Sequence, residues 1–95
     1  MPVDAMLGIR NYPNGFSGQT TIEYWIPEEM SVSVRVYNVL GQSIATLADG
    51  VQRAGRHALQ FTAAGSLPSG LYLAVLSTSY GMRTTVMHHR KGGVR

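Results

Sequence analysis

Cysteine is absent from the 95 residues, which excludes a disulfide framework and leaves the redox compartment unread. A secreted chain of this size usually carries staples. Their absence points to a self-sufficient core or to fusion with something larger. Lysine is almost absent as well: Lys91 is the only one, and no G-x-x-x-x-G-K loop or G-x-G-x-x-G turn occurs, which sets aside the common nucleotide-binding motifs. Acids number five, and of these only Glu28 and Glu29 are adjacent. They follow Pro27 and read as solvated turn residues rather than an acid/base pair. No G-x-S-x-G elbow is present, and Gly15-Phe16-Ser17-Gly18 has the wrong spacing for one. No apolar run approaches the ~20 residues of a membrane span. Met1–Arg10 has no basic stretch ahead of a long apolar core, so it is not a signal peptide. The reading is a non-enzymatic chain with no cofactor, no metal and no stable membrane insertion.

What remains is material for turns and strands. Eleven glycines and four prolines accompany 44% apolar residues, enough for one domain with a thin core. The net charge is +3, and four of the eight basic residues (Arg83, Arg90, Lys91, Arg95) fall in the last thirteen positions. That reads as a solvated basic tail. Aromatics are not interleaved with the basic residues, which argues against a stacking platform for nucleic acid.

Thr20–Ile26 alternates with Ile22, Tyr24 and Ile26 on one face, and Val32, Val34 and Val36 resume the period after Pro27-Glu28-Glu29. The two segments are expected to form a hairpin with Glu23 opposite Arg35 and Trp25 opposite Ser33. Asn38-Val39-Leu40-Gly41 ends the second strand. Gln42–Ala48 is expected to be a short strand closed by a turn at Asp49-Gly50, and Arg56–Thr62 alternates on His57, Leu59 and Phe61. Leu71–Ser77, apolar at nearly every position, reads as a central strand buried on both sides. A turn about Tyr80 would set Thr84 against Leu76 and Val86 against Ala74. Turn signals recur about every eight to twelve residues, and no helical stretch of useful length appears. The expected fold is an all-β, Ig-like antiparallel β-sandwich of six to seven short strands. Residues 1–10 read as a linker or frayed N-terminal segment, 11–90 as the domain and 91–95 as a basic tail.

Three features invite a functional reading. Arg10–Gly18 is dense in turn formers, leaving Tyr12 and Phe16 to fold over an open end of the core as a lid. His88-His89 is the most tempting metal signal, but neighbours on a strand face opposite ways. With His57 distant and no Cys, they read instead as edge or tail residues. Trp25, turned outward by the alternation and grouped with Tyr37, is a candidate partner face; packing against the second sheet or the N-terminal segment is the alternative.

Together, three motifs resemble one family. They are N-Y-P-N-G-F-S-G-Q-T-T-I-E-Y-W-I-P (Asn11–Pro27), V-R-V-Y-N-V-L-G-Q-S-I-A-T-L-A-D-G (Val34–Gly50) and P-S-G-L-Y-L-A-V-L (Pro68–Leu76). In order and spacing they resemble the C-terminal sorting domain of the type IX secretion system, which is related to the Ig-like domain of the flagellar hook-capping protein. The positions carrying the likeness are Asn11, Tyr12, Pro13, Asn14, Phe16, Val36, Tyr37, Gly41, Gly70 and Tyr72. The resemblance implies a non-catalytic module on an exported cargo protein, recognised by the outer-membrane translocon. Its route would lie through the periplasm to the cell surface, the outer membrane or the medium. Its partners would be the secretion machinery and a fused cargo domain. The last strand (Thr84, Thr85, Val86, Met87, His88, His89) is where the resemblance places recognition. Gly15 and Gly18 stand where the family has prolines, and the family's lysine in the last strand is missing. Without cargo or export signal, the chain reads as a fragment, an isolated domain or a truncated frame. A structural or adhesive Ig-like module, binding carbohydrate or protein or serving flagellar assembly, is the alternative function.

Overall fold

The computed structural model describes residues 7–91, and every regular element among them is a strand. In chain order these are β1 (Gly8–Tyr12), β2 (Gly15–Phe16), β3 (Gln19–Ile26), β4 (Met30–Asn38), β5 (Ser43–Gln52), β6 (Gly55–Thr62), β7 (Gly70–Thr78) and β8 (Gly81–His89). They form a three-stranded sheet in the order β1-β3-β6 and a five-stranded sheet in the order β2-β8-β7-β4-β5. Eight strands stand where six or seven are expected; the two-residue β2 is too short to leave a periodic trace. β1 takes in Gly8–Arg10, within the segment expected to be linker or frayed strand. Residues 1–6 and the end of the basic tail, 92–95, lie outside the described residues.

Period-two alternation builds the core. Ile22, Tyr24 and Ile26 of β3 face Val32, Val34 and Val36 of β4, all at most 3% exposed, and each such side chain contributes roughly 1.5–3 kcal/mol. The expected hairpin between these strands does not form. β3 pairs with β1 and β6, and β4 with β5 and β7, so Pro27–Glu29 is an arch that carries the chain from one sheet to the other. Two strands with the same inward face meet equally well side by side or face to face, and alternation alone does not separate the cases. As a result Glu23 lies opposite Ala58 and Arg10 rather than Arg35, and Trp25 opposite Arg56 and Gly8 rather than Ser33.

Two other expectations are corrected. Asp49-Gly50 does not turn the chain; both residues lie within β5, paired with Ser33 and Val32. The strand absorbs its irregularity as register shifts along β4 and turns only after Gln52. β7 is the central strand of its sheet, but only Ala74, Val75 and Leu76 are buried in succession, and Leu71 is exposed. The remaining turn chemistry follows the sequence closely. Asn38 Oδ1 accepts from the backbone N–H groups of Leu40 (2.9 Å) and Gln42 (3.0 Å), and Gly41 takes the φ of 83° that closes the β4–β5 turn. Tyr72 donates its hydroxyl to the Pro68 carbonyl four residues upstream (2.6 Å), a bond of the kind that pins the corner of Ig sandwiches.

Candidate functional site

The region expected to carry function, the last strand, is organised by the turn motif near the N-terminus. Asn11 is 7% exposed and sits at the junction of β1, β3 and β8. Its Nδ2 donates to the Pro13 carbonyl (3.3 Å) and to Thr20 Oγ1 (3.4 Å), while its Oδ1 accepts from Thr85 Oγ1 (3.0 Å) and Asn14 Nδ2 (3.3 Å). Thr20 Oγ1 in turn donates to Pro13 O at 2.8 Å. An amide sets donor hydrogens and an acceptor oxygen on two separate arms of one short side chain, and this junction uses both arms. Asn14 Nδ2 donates to the Val86 carbonyl (2.9 Å), and the backbone N–H groups of His88 and Arg90 donate to Asn14 O (3.1 Å) and Phe16 O (2.8 Å). The stretch Asn11–Phe16, whose Tyr12–Pro13 peptide is cis, is thus a clasp holding the C-terminal half of β8 through side chains and a short parallel pairing.

Phe16 and Tyr12 part company in this clasp. Phe16 is buried against the rings of Phe61 and His89, with centroids at 6.0 and 5.1 Å. Tyr12 is 48% exposed, with the Arg10 guanidinium 5.6 Å from its ring. There is therefore one anchor and no lid.

The register of β8 differs by one residue from a fold centred on Tyr80. Leu76 pairs with Arg83, Val75 with Thr84, Ala74 with Thr85 and Leu73 with Val86, because Ser79-Tyr80 forms a two-residue turn. Thr85, Met87 and His89 then face inward, and Thr84, Val86 and His88 face outward. Met87 is fully buried, and His89, expected at an edge or in a tail, is 5% exposed between Phe16 and Tyr72. Neither of its ring nitrogens has a hydrogen-bond partner among the described residues. β2 covers β8 only at His88 and His89, so from Gly81 to Met87 the outer edge of the strand has no β-partner among the described residues. Since His88 and Arg90 direct their N–H groups to that edge, the unbroken register directs those of Thr84 and Val86 there too.

The other proposed contact residues do not converge. Trp25 lies on the outer surface of the three-stranded sheet, its indole over Gly8, where an added Cβ would collide with the ring. The Arg56 guanidinium stands 5.3 Å above the indole. Trp25 thus packs against the N-terminal segment. Tyr37 belongs to β4 in the other sheet, where it pairs with Leu73 and Ser43. Glu23, in the row next to Trp25, accepts from Arg10 (2.6 Å) and Arg56 (3.2 Å). The Arg10 bond foremost, with help from Arg56, holds its carboxyl below the usual glutamate range although partial burial pushes the other way. At the far end of the molecule Tyr80 donates to Glu28 at 2.9 Å, which pushes the phenol upward. Among the described residues no group of His, Cys, Asp and Glu side chains is suited to a metal ion, and no helix is long and apolar enough to cross a membrane.

The model of the secretion system C-terminal sorting domain matches residues 10–87, from the clasp through Met87. The chain belongs to this family. As a type IX sorting domain it carries a C-terminal signal for secretion toward the cell surface or outer membrane. No curated protein matches the chain significantly. In structure the sorting domain is similar to the Ig1 domain of mouse SynCAM 2, with a TM-score of 0.50 and 14% identity over 95% of this chain and 98% of that one. That likeness establishes the Ig-like sandwich and nothing about binding. Thr20, central to the clasp, lies inside the Asn11–Pro27 motif but not among the positions singled out from it; it continues the inward period of Ile22, Tyr24 and Ile26 and is 1% exposed.

Proposed function

We propose that the sorting domain acts by being bound: it is a non-catalytic module whose last strand is read by the outer-membrane translocon while a fused cargo is exported and attached at the surface. The observation that carries this reading is the state of β8, clasped at its C-terminal half and without a β-partner from Gly81 to Met87 among the described residues. An exposed strand edge is a template for an added strand, with main-chain hydrogen bonds supplying affinity and alternate side chains supplying specificity. Here the outward side chains would be Met82, Thr84, Val86 and His88, of which Met82 and Val86 are 61% and 42% exposed. Asn11, Asn14 and Phe16 then serve to present the strand rather than to touch the partner. An adhesive reading through Trp25 gains no support from an indole already seated between Gly8 and Arg56. The test is to append the chain to a periplasmic reporter in a host with a working type IX system. Surface or extracellular reporter is the expected outcome; a reporter that stays periplasmic while the domain folds overturns the proposal.

A further inference from the structure

Beside the clasp, where β2, the start of β7 and the end of β8 meet, lies an open cavity of about 620 Å³, within the size range of small-molecule sites. Its lining is chemically one-sided. Phe16 and Leu71 give it an apolar surface, His88, Arg90 and Lys91 give it donors and positive charge, and no acidic residue lines it. Neither Arg90 nor Lys91 is ion-paired among the described residues, whereas Arg10 and Arg56 are both spent on Glu23. The backbone beneath the cations is fixed: the Arg90 N–H donates to Phe16 O at 2.8 Å and the Lys91 N–H to Ser69 Oγ at 2.7 Å.

A second observation is independent of that charge. His89 also lines the cavity and is 5% exposed, yet both of its ring nitrogens lack a partner among the described residues. A buried polar group left unsatisfied is destabilising, and one in a native structure calls for a partner such as an ordered water, an ion or a ligand. A polar ligand atom reaching the base of the cavity as the imidazole turns would supply the missing bond.

We propose that this cavity is a binding site for a small ligand bearing an oxyanion, a phosphate or carboxylate on a compact ring-sized body. The anion pairs with Arg90 and Lys91, the body lies on Phe16 and Leu71, and a polar group of the ligand satisfies His89. Charge-assisted hydrogen bonds from two cations give such a site its preference for anions over neutral analogues. This site shares His88 with the outward face of β8 but lies beyond the open stretch from Gly81 to Met87, and it does not depend on how the translocon reads that stretch.

The test is an amide chemical-shift titration of the full chain with inorganic phosphate and, separately, with glucuronate, against sodium chloride at equal ionic strength. Saturable shifts confined to Ser17, Ser69–Leu71 and His88–Lys91 are expected. Two variants check the site from different sides. Arg90→Ala/Lys91→Ala removes the charge. Gly15→Leu fills the cavity without touching it, since a Cβ on Gly15 meets no atom within 4 Å and its φ is not left-handed. Each should weaken binding about tenfold or more, and the exposed double variant keeps the test valid if Gly15→Leu fails to fold. Phosphatidylglycerol vesicles form the third arm. If they bind and glucuronate or phosphate displaces them, the oxyanion comes from a lipid headgroup; binding of the free anions alone points to a soluble ligand. Shifts that chloride reproduces, or that spread equally to Arg53, Arg56 and Arg83, overturn the proposal, as does vesicle binding that neither anion displaces.

Discussion

At the scale of single residues, most of the specificity of this domain lies in a few polar side chains that carry little exposed surface. Asn11 joins three strands because its amide meets a carbonyl, two hydroxyls and a second amide at once. Asn11→Ala should cost about 1–3 kcal/mol, since it strands the Thr85 hydroxyl in a part-buried junction and leaves the Pro13 carbonyl with Thr20 Oγ1 as its one remaining side-chain donor. Urea unfolding measures the loss. Hydrogen exchange should also show the His88 and Arg90 amides losing protection before those of β3. Glu23 makes a prediction about pH. Its carboxyl lies below the unfolded value because of Arg10 and Arg56. Its stabilising contribution is therefore complete above the unfolded carboxylate pKa and drains away as pH falls through the folded one. A thermal melt of Glu23→Gln should start lower than the native chain at neutral pH and fall less steeply through the acid range; parallel curves would show that the pair contributes nothing.

At the scale of elements, what could be read in advance and what could not divides along one physical line. Alternation told which residues of β3 and β4 face the core, and the buried set Ile22, Tyr24, Ile26, Val32, Val34 and Val36 follows it without exception. Which strands are neighbours was not legible, because an arch and a hairpin leave the same pattern on either side of Pro27. The clasp falls within the first motif, but its bonds run to β8, more than seventy positions away, where no local signal points. The cavity was invisible for the same reason: Phe16, Leu71 and Lys91 are brought together only by topology. In β8 the difference of one residue decided the face of every side chain, and it turned on whether the turn centres on Tyr80 or on the bond between Ser79 and Tyr80. This makes register testable. Met87→Ala should cost about 2–5 kcal/mol as a buried large-to-small change, while Val86→Ser, on the exposed face, should stay within about 0.5 kcal/mol. Equal costs would contradict the register.

At the scale of the whole molecule, the question is which sheet edge is left for a partner. A sandwich has unpaired edges that must be blunted or used. β5 is blunted by two register shifts along its pairing with β4, and β1 is only five residues long. β6 and β8 remain. The exposed positions of β6 include Arg56, Gln60 and Thr62, and Arg56 is engaged by Glu23 and Trp25. β8 is regular over nine residues, holds Met82 and Val86 in the open, and is anchored at its C-terminal end by the clasp. If a translocon adds a strand there, recognition depends on the edge N–H groups themselves. Thr84→Pro removes one at an edge position, where proline is tolerated, and should leave the melting temperature within a few degrees of the native chain. Exported reporter should nonetheless fall about tenfold, the loss of more than one main-chain bond's worth of affinity. Thr84→Val keeps the N–H and alters only the side chain, so its export should match the parent. The pair separates two modes of recognition that share one residue. If Pro exports as well as Val, the edge is not what the translocon reads; if Val fails along with Pro, the side chains of the outer face carry the signal instead of the backbone.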